Sequence, residues 1–203
     1  MVEVSPSLLA ADFSKIDKEL NKVLRATNRV HIDVMDNKFV SNYTLNKMTP
    51  NLVGKCINFK LKPDVHLMVN DPSKYFESFV KVGAKEISFH FEAVFDPIKE
   101  LRLLKSFCSV GIALKPKTSF KEAYDAVKES DFVLIMCVEP GFGGQGFMVD
   151  MIPKIKSIRE SFPKKPIIAD GGINNEIKTL VIDAGASILV MGTAFFKEQN
   201  KYK

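Results

Sequence analysis

Short runs of β-branched and large apolar residues alternate along the chain with longer segments in which apolar positions recur every three to four residues. The first kind reads as strand: VEVS, RVHIDV, PDVHLMV, EISFHF, VGIALK, FVLIMCV, PIIAD and SILVMG. The second reads as helix: SKIDKELNKVLRAT, DPSKYFESFVKVG, FDPIKELRLLKSF, SFKEAYDAVKES, MIPKIKSIRESF and NEIKTLVIDAG. Residues 43 to 60 are less regular, and TPNLVGKCINF within them supplies the helix after the second strand. Ser14, Asp71, Ser119 and Asn174 stand where N-caps belong, since a short side-chain oxygen can accept a free N–H of the first turn. Gly83 and Gly185 stand where helices stop.

Eight strand–helix units in succession fit a parallel sheet closed on itself with helices outside, a (β/α)8 TIM barrel taking residues 1–203 as a single domain. A doubly wound open sheet is the alternative, but it would carry GxGxxG after its first strand, where this chain has SPSLLAADF and keeps its glycines for later. The chain ends soon after GTAFF, so the last helix is expected to be short or incomplete.

Composition narrows the class of partner. With 203 residues, 46% hydrophobic and 26% charged, the chain has the balance of a globular protein and its apolar runs are strand-sized. The first residues, MVEVSPSLLAADF, lack the pattern of a signal peptide, so a cytoplasmic protein with no membrane contact is expected. The net charge of +5 is spread over scattered lysines rather than one stripe, which favours anionic small molecules and argues against nucleic acid. Cys56, Cys108 and Cys137 lie far apart with no paired spacing and read as unpaired thiols rather than a disulfide or thiolate metal site.

Candidate chemistry lies at the strand ends. His31, Asp33 and Met35 of HIDVMD share one parity and would face one side of a strand. In a barrel that side is the interior, and His66 of DVHLMV and Asp170 of IADGG would meet His31 and Asp33 near its axis. Carboxylates facing a closed interior demand a cation or a proton, because unpaired burial costs several kcal/mol. Two imidazoles and two carboxylates suit one divalent metal, Zn²⁺ foremost, with Fe²⁺, Mn²⁺ or Co²⁺ also compatible. Met35, Met68 and Met136, at corresponding strand ends, would form a supporting apolar wall. Three glycine-rich loops follow strands six to eight: VEPGFGGQGF, DGGIN and MGTAFF. Their backbone N–H groups could approach an anion closely, and the last two occupy the usual phosphate position of such barrels.

Taken in order, SPSLLAADF, HIDVMD, DVHLMV, PGFGGQ, ADGGI and GTAFF resemble the ribulose-phosphate 3-epimerase family across residues 5 to 196. The resemblance implies a metal-dependent isomerase of the pentose phosphate pathway, a homo-oligomer acting on a phosphorylated ketopentose. It makes His31, Asp33, His66 and Asp170 the metal ligands, with Asp33 and Asp170 also the acid/base pair. Ser7 and His66 would contact substrate; Gly141, Phe142, Gly143 and Gly144, with Gly171 and Gly172, would line it, and Gly192 and Thr193 would help hold its phosphate. His90 and Glu92 match the fourth-strand motif and would stand behind the ligands. The implied chemistry removes the C3 proton from one face and returns one to the other, which needs two carboxylates around a 2,3-enediolate. Since a free carboxyl has a pKa of about 4, burial is expected to raise both aspartates toward useful basicity. A hexose-phosphate 3-epimerase and a noncatalytic metal or sugar-phosphate binder are the competing readings. An orotidine-phosphate decarboxylase is disfavoured, because Met35 stands where its DxKxxD pattern needs lysine.

Overall fold

The computed structural model describes residues 2–198. Eight strands alternate with eight helices: β1 (Glu3–Pro6), α1 (Ile16–Ala26), β2 (Arg29–Met35), α2 (Pro50–Asn58), β3 (Lys62–Met68), α3 (Ser73–Lys81), β4 (Glu86–His90), α4 (Pro97–Leu104), β5 (Ser109–Leu114), α5 (Tyr124–Glu129), β6 (Phe132–Met136), α6 (Met151–Ser161), β7 (Ile167–Asp170), α7 (Lys178–Asp183), β8 (Ile188–Met191) and α8 (Thr193–Glu198). All strand pairs are parallel and run in the order β1-β8-β7-β6-β5-β4-β3-β2. The two ends of that ladder meet through one parallel bridge, Ser7 to His31, which completes a (β/α)8 TIM barrel. Side chains stitch this seam where the ladder is thin: Thr27 Oγ1 donates to the Val4 carbonyl (2.9 Å) and Ser5 Oγ to Asp64 Oδ2 (2.5 Å). The last helix is short over its six described residues, and residues 199–203 lie outside the described part.

Alternation along β2 sets the architecture. Its even members Val30, Ile32 and Val34 join the main core, which also holds Leu20 and Val23 of α1 and Leu52 and Val53 of α2. The odd members His31, Asp33 and Met35 face the barrel interior, where they meet side chains of β3 and β7.

Helix starts follow their capping chemistry and revise four expectations. Thr49 accepts from Leu52 N ahead of Pro50, and Asp96 accepts from Lys99 N ahead of Pro97. Ser14 is no N-cap: the carboxylate of Asp12 accepts from both its N–H and its hydroxyl, placing Ser14 inside a 3₁₀ turn before α1. Asp71 binds the Ser73 hydroxyl instead of a backbone N–H, and Pro72 precedes α3. Ser119 and Asn174 do cap, but each caps a leading turn, so α5 and α7 begin a few residues later than periodicity implies. Gly83 and Gly185 follow α3 and α7 at positive φ, where helices were expected to stop.

The interior has two unlike halves. From β1 to β4 it holds Ser5, Ser7, His31, Asp33, Asp64, His66, Ser88 and His90, all buried polar groups. From β5 to β8 it holds Ala113, Phe132, Leu134, Met136, Ile168, Ile188 and Val190, packed as one apolar cluster. Gly111 on β5 leaves room for that packing, since a Cβ there would lie 2.2 Å from the Phe132 ring. Below the polar half, the buried Arg29 guanidinium is paired with Glu86, Glu3 and Asp64.

Candidate active site

Two tripeptides, HID on β2 and DVH on β3, lie side by side with their order reversed. The register pairs His31 with Asp64 and Asp33 with His66, so each imidazole has a carboxylate neighbour on the adjacent strand. Asp170, at the end of β7, reaches the same point from across the barrel. Ligand atoms of His31, Asp33, His66 and Asp170 all lie within 4.8 Å of one another. His31 Nε2 stands 3.2 Å from Asp33 Oδ1 and 3.5 Å from Asp170 Oδ2; His66 Nδ1 stands 3.5 and 3.6 Å from the same two oxygens.

Those two ring nitrogens are buried and in hydrogen-bonding geometry with nothing. The other nitrogen of each ring is held from behind. His31 Nδ1 bonds Asp64 Oδ1, whose partner oxygen accepts from Ser5. His66 Nε2 lies 2.9 Å from His90 Nε2, and His90 Nδ1 lies 3.1 Å from Glu92 Oε2. Two unpartnered nitrogens aimed between two carboxylates form an N₂O₂ donor set that can hold a divalent cation.

Without a cation the imidazoles provide the positive charge. Burial alone would push Asp33 up, yet His31 and His66 outweigh it and hold the carboxyl far below its ordinary range. Asp170 is likewise lowered: burial and Asp33 oppose ionisation, but the same imidazoles prevail. Conversely, burial works against charge on His31, but Asp64, Asp33 and Asp170 raise it well above the usual histidine value; His66 is raised against burial by Asp170 and Asp33. The expected upward shift of the aspartates is therefore reversed in the metal-free site, because burial acts on both partners of an ion cluster and attraction wins. His90 differs: burial pushes it down to about 4, against the pull of Glu92.

Above this centre opens a cavity of about 760 Å³, ample for a sugar phosphate. Asp33 and Asp170 form part of its floor, with Met35, Met68 and Met136 beside them. Ser7 lines it too; its hydroxyl donates to Asp33 Oδ2 (2.6 Å) and accepts from Leu9 N (3.2 Å). Gly141, Phe142, Gly143 and Gly144 form one wall, and Gly171, Gly172, Gly192 and Thr193 another. A Cβ on Gly172, which has φ +67, would lie 2.4 Å from Phe147 N, so only glycine lets these two loops touch. His31 and His66 do not line the cavity: both rings are fully buried beneath it, and the expected substrate contact of His66 is not made by an exposed edge.

Sequence reasoning missed several participants. Asp64 was legible in principle, since it precedes His66 by two positions just as His31 precedes Asp33. Asn42, which donates to the Gly141 carbonyl (2.6 Å), and Gln145, which spans Glu139 and Phe142 carbonyls, come from irregular loops with no periodic signal. Lys197, on α8 one turn beyond Thr193, is the cationic side chain of the cavity lining.

A family model described as the ribulose-phosphate 3 epimerase family matches residues 3–196. A ribulose-phosphate 3-epimerase of Eremothecium gossypii is 39% identical over 205 residues, covering 95% of this chain and 85% of its own length. That of Bacillus subtilis is 37% identical over 210 residues, covering 100% and 96%, and a cytoplasmic isoform from rice is 34% identical, covering 96% and 87%. Among solved structures, a mutant tryptophan synthase α-subunit from a hyperthermophile, Pyrococcus furiosus, superposes with a TM-score of 0.75 at 11% identity, covering 96% of this chain and 89% of its own, which is likeness of fold alone.

Proposed function

The chain belongs to the ribulose-phosphate 3-epimerase family, and from that premise we propose that it interconverts D-ribulose 5-phosphate and D-xylulose 5-phosphate, with Asp33 and Asp170 as the two acid/base groups. The observation that carries this reading is the meeting of those carboxylates, one from β2 and one from β7, on the floor of a single cavity. Inversion at C3 needs a base on one face and an acid on the other. One aspartate takes the C3 proton, and the electron pair moves into the C2–C3 bond of an enediolate with charge on the C2 oxygen. The other, which must enter the step protonated although both carboxyls are held low in the metal-free site, delivers its proton to the opposite face. Ser7 fixes the rotation of Asp33 by bonding Oδ2.

His31, Asp33, His66 and Asp170 would hold one divalent ion per subunit, with Zn²⁺ favoured and Fe²⁺, Mn²⁺ and Co²⁺ compatible. When bound, such an ion supplies positive charge next to the developing enediolate. The Gly171–Gly172 and Gly192–Thr193 loops offer backbone N–H groups to the phosphate, with Lys197 supplying charge. Anchoring there, away from C3, fixes which carbon meets the aspartates and uses remote binding energy to orient it. Exposed Phe95, Leu103 and Phe107 around α4 support a homo-oligomer. Among the described residues no helix is long and apolar enough to cross a membrane; the rice relative, named a cytoplasmic isoform, supports a cytoplasmic site of action.

The test is turnover of D-ribulose 5-phosphate in D₂O, followed by proton NMR on protein of assayed metal content. D-Xylulose 5-phosphate carrying deuterium at C3 is expected. Folded, metal-loaded protein that leaves the substrate unchanged would refute the assignment.

A further inference from the structure

We propose that Glu92, acting through His90, decides which nitrogen of His66 carries a proton, and so leaves Nδ1 of His66 as a lone pair facing Asp33 and Asp170. The inference rests on the metal reading above only for its consequence in binding; the proton assignment stands on hydrogen bonds alone.

Glu92 has no choice of role in this network. Glu92 Oε1 accepts from the backbone N–H of Lys115 (2.9 Å) and from the Thr118 hydroxyl, and Oε2 faces His90 Nδ1 at 3.1 Å. An ionised carboxylate only accepts, so His90 Nδ1 must carry hydrogen. His90 Nε2 is then the acceptor of a neutral ring, and the facing His66 Nε2, 2.9 Å away, must donate to it. With one proton committed to Nε2, the neutral ring of His66, the form that can bind a metal, has Nδ1 bare; that nitrogen is buried and lacks any hydrogen-bond partner. His31 reaches the same outcome by the opposite tautomer: Asp64 takes a hydrogen bond from Nδ1 and leaves Nε2 bare. Once neutral, both imidazoles thus offer lone pairs to one point, one through Nε2 and the other through Nδ1.

Glu92→Gln tests the relay, because the amide cannot turn freely. Lys115 N–H has only a proton to offer, so the amide oxygen must stay where Oε1 is, and the NH₂ must face His90 Nδ1. His90 then accepts at Nδ1 and donates from Nε2, His66 accepts at Nε2, and a hydrogen appears on His66 Nδ1, pointing into the centre. A change of one atom, two rings away, converts a ligand into a blocked site. His90 and Glu92 are positioning residues in this scheme.

The chain has three histidines, all of them here, so ¹⁵N-histidine labelling of the full chain yields an uncrowded spectrum. Two-bond ¹H–¹⁵N correlation on metal-free protein at alkaline pH, where the rings are neutral, should show Nε2–H on His66 and Nδ1–H on His90, and the reverse on both in Glu92→Gln. Zn²⁺ affinity, read by competition with a chromophoric chelator, should fall by about 10–100-fold in the variant. Wild-type protein with Nε2–H on His90, or a folded variant that keeps the wild-type tautomers, overturns the proposal. If the variant fails to fold, the wild-type spectrum alone decides it. Switched tautomers with unchanged Zn²⁺ affinity would instead overturn the ligand role of His66 and leave the relay standing.

Discussion

The two halves of the barrel interior share one backbone architecture and carry opposite chemistry. Strands β5 to β8 fill their side with Phe132, Leu134, Ile168 and Val190, groups that stabilise by leaving water and touching one another. Strands β1 to β4 fill theirs with Ser5, His31, Asp33, Asp64, His66 and His90, which stabilise nothing unless each proton and charge has its counterpart. The apolar half tolerates any good fit, whereas the polar half works only as a complete circuit. Asp170 is the exception that makes the pair useful: it stands at the end of β7, on the apolar side, and brings the second carboxylate to the polar centre.

Breaking the circuit should cost chemistry before stability. Asp33→Asn and Asp170→Asn are each expected to lower kcat by roughly 10²–10⁴ while the circular dichroism of the fold persists; near-wild-type turnover in either would dissolve the functional contrast. Breaking the packing should do the reverse. Leu134→Ala, at a fully buried position away from the cavity, should lose about 2–5 kcal/mol of stability and leave kcat per folded molecule near wild type, as checked by urea unfolding and active-fraction kinetics. Removing the proposed metal sharpens the comparison further. Chelation should abolish turnover, and Zn²⁺ at a hundredfold excess over Kd should restore it with a gain of about 2.7 kcal/mol, readable as a rise of about 5–10 °C in Tm.

The smallest effect concerns Glu92, which half-burial pushes up but His90, Thr118 and Lys115 N–H together hold down to about 2. A carboxyl lowered on folding contributes stability that is complete above its unfolded value of about 4.5 and disappears as pH falls through the folded one. Between pH of about 5 and 2, then, wild type should lose stability more steeply than Glu92→Gln, a difference that unfolding midpoints across that range would reveal.

The contrast between the halves also governs what the sequence made readable. Apolar alternation and its interruptions located all eight strands, because burial is written directly in residue type. The four central polar residues were readable because a charged group at an inward position violates that pattern. Their supports were harder to see. Asp64 lies deeper on β3 than His66, and its role emerges only when the register sets it beside His31. The Ser14 and Asp71 caps were misplaced because a neighbouring carboxylate or hydroxyl competes for the same bonds, a contest decided by geometry rather than residue type. Asn42 and Gln145 support the cavity from irregular loops, where periodicity is silent.

The thin seam between β1 and β2 has a consequence for the order of events during synthesis. Ser7, whose hydroxyl holds Asp33, has its own backbone fixed by the Met191 carbonyl at the far end of the chain, and β1 is laddered to β8 rather than to its sequence neighbour. Chains emerge from the ribosome N-terminus first. The first strand must therefore wait for the last before it can lock, and Asp170 arrives only shortly before. A nascent chain carries His31, Asp33 and His66 long before it can assemble the finished centre, so the site can assemble only after β8 has been synthesised, a delay set by topology alone.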